Sequence, residues 1–254
     1  LYPQRIRASD GALLSWNAVA SDAVWSRVFS KVAYHPGAYG GAGGYLIVYQ
    51  TWSSTLGTSV RYKMTRSDLS DLFTNPELEV SGSGNLLYTP NVDAGEDGFL
   101  IAWWEYTGAD YQVMARRIDV NGNALGNAAG FPVSGVNSQM SIEPQRPAVA
   151  YTHRQSFLVL WNHENTMPVL DDIHGVLVSE EWDGTIGDEI ELSEGVEFIY
   201  DPSAICSPMS DCLIVYDWWN NPSYDVAGRM LHLLRIFSDG FESGDLLAWS
   251  DTVP

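Results

Sequence analysis

The sequence predicts an all-β fold, a β-propeller of four or five four-stranded blades. Three observations support this prediction: a short apolar strand recurs along the chain, tight-turn dipeptides follow it, and no stretch combines a sustained helical period with caps. The apolar copies recur after 54, 58 and 55 residues, at 45–49, 99–103, 157–161 and 212–216. Short strands repeated at such a period are typical of propeller blades.

The recurring apolar strand is predicted to be the second strand of each blade. Each copy ends in an aromatic residue and is bounded by Gly or polar turns. Continuous apolar runs of this length, rich in Val and Ile, indicate strands that are buried on both faces. Helices between them are not expected, because the connections contain Gly, Pro, Asn and Asp.

Weaker patterns predict the other strands of a blade. First strands are expected at 31–34, 88–92, 146–151 and 201–205, and third strands are clearest at 112–118 and 173–178. The fourth strand ends in an apolar residue followed by Ser, as at Val80, Val133 and Leu192. Asn121-Gly122 and Asp183-Gly184 lie where the third strand must turn into the fourth, and both dipeptides tolerate the positive φ of a tight hairpin. A β-sandwich is the alternative fold, because single strands and turns look alike in both.

The two ends of the chain are expected to meet in one blade. Residues 2–21 resemble third and fourth strands, whereas residues 201–235 supply only first, second and third strands. We therefore expect residues 1–235 to form the propeller, with N-terminal strands closing the last blade, and residues 236–254 to pack on it or complete it. Such end strands can pair within the chain or with a neighbouring molecule.

The charge balance argues against two classes of partner. Thirteen Lys and Arg stand against 32 Asp and Glu, a formal net charge of −19, so phosphate backbones should repel the chain and no nucleic-acid partner is expected. No run of about 20 apolar residues is present, so the sequence predicts no membrane span.

The two cysteines predict a disulfide. Cys206 and Cys212 are separated by five residues that include Pro208, a spacing that a turn between paired strands brings within bonding reach. A disulfide favours an oxidising compartment. The alternative is a pair of small buried thiols.

Two segments resemble known families. Residues 157–161 followed by Asp172-Ile173-His174-Gly175 resemble the propeller-type repeats of secreted bacterial proteins, over residues 1 to about 235. Residues 236–250 resemble a C-terminal extension of exported gammaproteobacterial proteins, with Leu247 in place of a small polar residue. The resemblances imply a propeller, an extracellular or cell-surface location, and a tail that serves as an address or assembly element. An ordinary final hairpin is the alternative for the tail.

Acidic loops suggest sites for structural calcium. The loop from Asp119 begins with EF-hand spacing but has Gly130 at its twelfth position, where a bidentate Glu is needed, and so is rejected. Asp239, Glu242 and Asp245 in the tail are the preferred calcium ligands, since hard cations bind carboxylate oxygens. No other cofactor is expected. The alternative is a solvated acidic surface.

The functional prediction depends on side chains just beyond the second strands. Exposed indoles stack on sugars or anchor protein interfaces, and paired carboxylates cleave glycosides. The aromatic candidates, expected on one rim, are Trp52, Trp104, Tyr106, Trp218 and Trp219, and the acidic candidates are Glu105, Glu164 and Asp217. Packing between blades is the alternative for each Trp.

No catalytic motif points to a particular reaction. The five histidines are scattered, and no Ser lies in a Gly-x-Ser-x-Gly sequence. His163-Glu164 with Asp171 lacks helical His-Glu-x-x-His spacing and is expected to be a polar loop. The leading prediction is a non-enzymatic extracellular module for binding or self-assembly, which contacts itself, another cell-surface protein or a glycan. The alternative is a carbohydrate-active enzyme or lectin-like glycan binder that uses the rim carboxylates and tryptophans.

Overall fold

The protein is a β-propeller of small antiparallel sheets, as the sequence predicts. The computed structural model describes residues 4–6, 13–16, 26–53, 57–70, 75–135, 146–165, 170–192, 199–220 and 223–233. Within these ranges, three four-stranded sheets and one three-stranded sheet follow one another along the chain as blades. A separate two-stranded sheet pairs β1 (Gln4–Ile6) with β2 (Leu13–Trp16).

The strands of each blade lie side by side in chain order. The first blade contains β3 (Ser26–His35), the turn α1 (Ala38–Gly41), β4 (Gly44–Ser53), β5 (Gly57–Arg66) and β6 (Leu78–Glu79). The second contains β7 (Leu86–Ala94), β8 (Gly98–Tyr106), β9 (Tyr111–Asp119) and β10 (Phe131–Pro132). The third contains β11 (Ala148–Tyr151), β12 (Ser156–Asn165), β13 (Leu170–Ser179) and β14 (Thr185–Glu191). The fourth contains β15 (Ile199–Cys206), β16 (Asp211–Asn220) and β17 (Ser223–His232).

Apolar layers between neighbouring blades form the core. The four recurring apolar segments lie in β4, β8, β12 and β16, the second strand of every blade, as predicted. Successive side chains of a strand point to opposite faces of its sheet. Trp103 therefore packs in the layer between the first and second blades, and Trp104 packs in the layer between the second and third. The third and fourth blades share a further layer that includes Leu160 and Ile214.

The recurring apolar residue before Ser has the same backbone contact in three blades. The N–H groups of Val80, Val133 and Leu192 donate to carbonyls of the third strand of their own blade, at 2.9, 2.8 and 2.7 Å. All three side chains are buried. This repeat in the sequence therefore marks the point at which the outer edge of a blade is fastened to its third strand.

Bulges interrupt the first strands at equivalent positions. The pairing register shifts between Val28 and Lys31 in β3, between Tyr88 and Asn91 in β7, and between Tyr200 and Ser203 in β15. Each bulge contains a non-glycine residue with positive φ, namely Phe29 at 53°, Thr89 at 41° and Asp201 at 46°. Bulges bend a strand and redirect a side chain. First strands contact one another in the order β3, β7, β11, β15, so these redirected residues lie near one another around the axis.

The predicted disulfide is confirmed. Cys206 and Cys212 are directly opposed on β15 and β16, with Cα atoms 4.0 Å apart. The bond closes the hairpin that begins the fourth blade, on the face that packs against the third blade. The predicted tail, residues 236–254, lies outside the described residues, so its packing stays a prediction.

Candidate functional site

A cavity of about 940 Å³ opens among the bulged first strands. Side chains from all four blades line it: Phe29, Lys31, Gln50, Trp52, Thr58, Tyr88, Thr89, Asn91, Tyr111, Arg146, Asp201, Pro202 and Ser203. Its size falls in the range of sites that hold small ligands, roughly 300–1,000 Å³.

Four residues at one repeated position give the cavity its chemistry. Each directly precedes Pro or Ser in the first-strand region of its blade, and each lines the cavity: Phe29, Thr89, Arg146 and Asp201. The repeat supplies the same backbone position in every blade, while the sequence places an aromatic, a hydroxyl, a cationic and an anionic side chain there. A pseudo-symmetric scaffold therefore carries four chemically different side chains at one repeated position.

Hydrogen bonds between blades hold the cavity wall in place. Gln50 of the first blade accepts a hydrogen bond from the Thr89 backbone N–H of the second blade, at 2.9 Å between Oε1 and N. Asn91 of the second blade donates through Nδ2 to the Pro147 carbonyl before the third blade, at 2.9 Å. A wall fixed in this way loses little conformational entropy when a ligand binds.

Aromatic rings supply the apolar part of the lining. The side chains of Trp52 and Phe29 are 49% and 46% exposed. Tyr88 and Tyr111 meet edge to face, with ring centroids 5.8 Å apart. Exposed rings of this kind provide large amphipathic contact surfaces.

Two cationic side chains and one carboxylate lie in the cavity. Burial lowers the pKa of Lys31; the nearby Arg146 guanidinium lowers it further, and Asp201 opposes both effects. The Arg146 guanidinium also lies 5.7 Å from the centre of the Phe29 ring. The described lining thus carries an excess of positive charge in a chain whose formal net charge is −19.

Five aromatic residues were predicted to form a binding surface, and the structure places Trp52 in the cavity lining. Trp104 is wholly buried between the second and third blades, which corrects its prediction as a rim residue. The reason is that β8 continues to Tyr106, so Trp104 still lies within the sheet and points into the core. Tyr106 is partly buried and donates to the Gly108 carbonyl at 3.1 Å. Trp218 and Trp219 lie on β16, and their side chains lie outside the described part of the chain.

The predicted carboxylates do not gather at the described cavity lining. Glu105 is 4% exposed and accepts hydrogen bonds from Asn85 Nδ2 at 2.7 Å and Trp103 Nε1 at 3.3 Å. These contacts give it a structural role within the second blade and correct its prediction as a rim carboxylate. Asp217 is exposed on β16 and is not among the described lining residues. The Glu164 side chain, and the predicted calcium ligands Asp239, Glu242 and Asp245, lie outside the described residues.

Sequence reasoning missed most of the cavity residues, although a signal for them exists. Thr89, Arg146 and Asp201 all precede Pro within predicted first strands. Proline cannot donate to a strand ladder, and within sheets it is confined to edges, strand starts and bulges. A repeated X-Pro pair in the first strand of successive blades thus indicates aligned irregularities at the axis.

Comparisons with known proteins identify the fold. No family model and no curated protein matches the chain. An endo-arabinase from Bacteroides thetaiotaomicron is similar in structure, with a TM-score of 0.52, 8% identity, and coverage of 76% of this chain and 72% of that chain. A thermostable family-43 glycoside hydrolase has a TM-score of 0.45 at 13% identity, covering 76% and 69%. A family-117 glycoside hydrolase from Zobellia galactanivorans has a TM-score of 0.41 at 10% identity, covering 92% and 75%.

These comparisons correct the leading functional prediction. A non-enzymatic module for binding or self-assembly was expected, but the similar solved structure with a TM-score above 0.5 is described as an endo-arabinase. At 8% identity, the similarity to the endo-arabinase shows the fold alone, so the case for a glycan must come from the cavity. Within the described residues, no helix has the length and apolar character needed to cross a membrane.

Proposed function

We propose that this protein is carbohydrate-active and binds a glycan in the axial cavity. The observation that carries the proposal is the lining: exposed aromatic rings beside hydrogen-bonding side chains, in a cavity of about 940 Å³. Sugar rings have apolar faces rimmed by hydroxyl groups, so they need both kinds of contact. Trp52 supplies the most exposed indole of the described lining, with Tyr88 and Tyr111 as further rings.

The polar lining suits several sugar hydroxyl groups. Thr89, Asn91 and Ser203 lie on the first strands of the second and fourth blades, and Thr58 extends the wall from β5. Because Gln50 and Asn91 already link neighbouring blades, much of this wall is organised before a ligand arrives. Preorganisation of this kind favours binding of a flexible glycan, whose own ordering costs free energy.

The charges of the cavity favour an acidic glycan. Lys31 and Arg146 present an ammonium and a planar guanidinium, and the guanidinium matches a carboxylate or sulfate in two-point geometry. Asp201 is the single carboxylate among the described lining residues and can accept from sugar hydroxyls. We therefore propose a uronate-containing or sulfated glycan as the ligand class.

Hydrolysis would require a second acidic group. Glycosidases use two carboxyl groups about 5–5.5 Å apart for retention or about 6.5–9.5 Å apart for inversion. Asp201 is the described candidate for one of them. If the protein turns over its ligand, Asp201→Asn should abolish product formation while leaving binding measurable.

The test is glycan binding by calorimetry, with product analysis of the same mixtures. We expect acidic polysaccharide fragments to bind and Trp52→Ala to weaken binding at least tenfold, because the indole provides a large contact for a sugar face. Stacking of a nucleobase on an aromatic side chain, a contact of similar area, contributes about 1–3 kcal/mol. Trp182→Ala is the matched control, since Trp182 is 50% exposed and lies between β13 and β14. Equal binding by the two variants, or no binding of any glycan, would contradict the proposal.

Export to an oxidising compartment fits this proposal. A cystine is kept in extracellular and periplasmic proteins and is rare in the cytosol. The Cys206–Cys212 bond supports the proposal that the protein meets its glycan outside the cytoplasm. Calcium binding by Asp239, Glu242 and Asp245 stays a prediction.

A further inference from the structure

A second cluster of reactive side chains lies on the third blade. His163 on β12, His174 on β13 and Glu189 on β14 each offer one ligand atom, and these atoms lie within 4.8 Å of one another. Among the described residues, it is the one group of three or more His, Cys, Asp or Glu side chains whose ligand atoms lie this close together. None of the three lines the axial cavity.

Sheet pairing explains how the cluster forms. His174 is directly opposite Trp161, and His163 is two residues further along β12, so the two imidazoles lie diagonally on one face of the sheet. Their rings stack with centroids 4.4 Å apart. Trp161 packs in the layer between the second and third blades, so the histidines share the face that is turned toward the second blade.

Glu189 reaches the cluster because of a bulge. The pairing of β13 with β14 shifts register between Gly175 and Leu177, which brings Glu189 beside His174. Glu189 Oε1 lies 2.5 Å from His174 Nδ1, and the carboxylate remains 37% exposed. The other ring nitrogen, His174 Nε2, is buried and has no hydrogen-bond partner among the described residues.

We propose that His163, His174 and Glu189 bind a divalent transition-metal ion of the Zn²⁺ class. Two imidazoles and one carboxylate form a donor set that zinc accepts, with a fourth position left for water. Ligand atoms around a tetrahedral zinc ion are about 3.4 Å apart at bond lengths of about 2.1 Å. The widest separations in the cluster, up to 4.8 Å, therefore have to shorten, and Glu189 Oε1 has to move away from His174 Nδ1 if both atoms bind the ion. The Glu189 side chain is 37% exposed and can take part in this movement.

The surroundings favour a cation at this place. Asp172, which is 2% exposed and directly opposite His163, and Glu191 opposite His174 add negative charge around the pair. A divalent cation would offset this charge as well as join the two imidazoles.

The metal site can be tested by calorimetric titration of the EDTA-treated, dialysed full chain with zinc chloride. We expect one zinc ion per chain, a thermal midpoint that rises with zinc concentration, and tetrahedral visible bands when cobalt is used instead. His163→Ala, His174→Ala and Glu189→Gln should each weaken zinc binding at least tenfold. Glu189→Gln keeps the side-chain shape at an exposed position, so it separates loss of a ligand from loss of the fold.

His232→Ala is the matched control. His232 Nδ1 lies 2.9 Å from Asp211 Oδ1 on the fourth blade, a histidine–carboxylate pair outside the three-residue cluster. Its loss should leave the zinc affinity unchanged. The proposal is overturned if the wild-type chain shows no zinc binding, if Glu189→Gln and His174→Ala bind as the wild type does, or if His232→Ala weakens binding equally.

Discussion

At the scale of single residues, one cavity side chain, Lys31, lowers the stability of the folded protein. Lys31 is partly desolvated and lies near the Arg146 guanidinium, and both conditions disfavour its charged form. A packed core would not select an ammonium group at this position. Its presence is better explained by the acidic ligand that we propose for the cavity, because functional sites commonly retain such destabilising groups.

Lys31→Met should therefore separate stability from binding. The folded-state pKa of Lys31 is lowered, so between that pKa and its ordinary value near 10.5 the unfolded chain binds more protons. The charge is thus destabilising at pH 7, and this cost disappears as the pH rises through that interval. We expect Lys31→Met to raise the free energy of unfolding at pH 7, with a smaller gain near pH 10, as measured by urea denaturation.

The same variant, which should stabilise the fold, should weaken ligand binding. Lys31→Met should weaken binding of an acidic glycan and leave binding of its neutral counterpart nearly unchanged, since only the first loses an ionic contact. Calorimetry with a matched pair of glycans measures this difference. A variant that is less stable than the wild type at pH 7, or that binds both glycans equally weakly, would count against this role of Lys31.

At the scale of the strand and the blade, local patterns predict more of the fold than of the site. The second strands are continuous apolar runs, and their burial follows from composition alone, as β8 shows. The placement of Trp104 and Glu105 could not be predicted in this way, because it depends on where β8 ends. The cavity could not be predicted from any one strand, because Arg146 and Asp201 come to the same lining only after the blades are arranged around an axis.

Arginines on third strands join successive blades. Arg116 on β9 donates through Nη1 to the Val80 carbonyl of the first blade at 2.7 Å, and Arg229 on β17 donates to the Leu192 carbonyl of the third blade at 2.6 Å. Val80 and Leu192 are the recurring residues that fasten the blade edges. The same backbone position therefore serves both the closure of one blade and its link to the next.

Arg116→Met should weaken the contact between the first two blades. Methionine retains an apolar stem but removes a charge-assisted hydrogen bond, so we expect the free energy of unfolding to fall by about 1.5–3 kcal/mol in urea denaturation. Arg154→Met is the control, because Arg154 is exposed and such surface changes usually stay within about 0.5 kcal/mol. Equal effects of the two substitutions would show that the bond to Val80 adds nothing to stability.

At the scale of the whole molecule, two apolar sheet faces indicate where the ring closes. On the fourth blade, Ile205, Leu213 and Met230 lie in one row across β15, β16 and β17, on the face opposite to the disulfide, and Val226 lies on the same face with 76% exposure. Val32 on β3 is 59% exposed, on the face of the first blade that is turned away from the second. First strands contact one another in series, β3 with β7, β7 with β11 and β11 with β15, so these are the outward faces of the first and last blades of the series.

We propose that the N-terminal strands cover these faces. β1 and β2 pair with each other, and the fourth blade has three strands among the described residues, so this hairpin and the fourth blade suit a shared closing module. On this proposal Val226, which is 76% exposed here, becomes buried when the N-terminal strands dock on this face. Val226→Glu should then lower the free energy of unfolding by about 2 kcal/mol or more, because an unpaired charge would be buried. Ile186→Glu on β14, where Ile186 is 40% exposed, should cost no more than about 0.5 kcal/mol.

Removal of residues 1–25 tests which segment provides the cover. The deletion should destabilise the chain, and adding Val226→Glu to the shortened chain should cost little more, since the face would already be open to water. Such non-additivity in urea denaturation is expected only when the two changes affect one contact. If Val226→Glu is as harmless as Ile186→Glu, or if its cost is the same with and without residues 1–25, the ring is closed by something other than its own N-terminal strands.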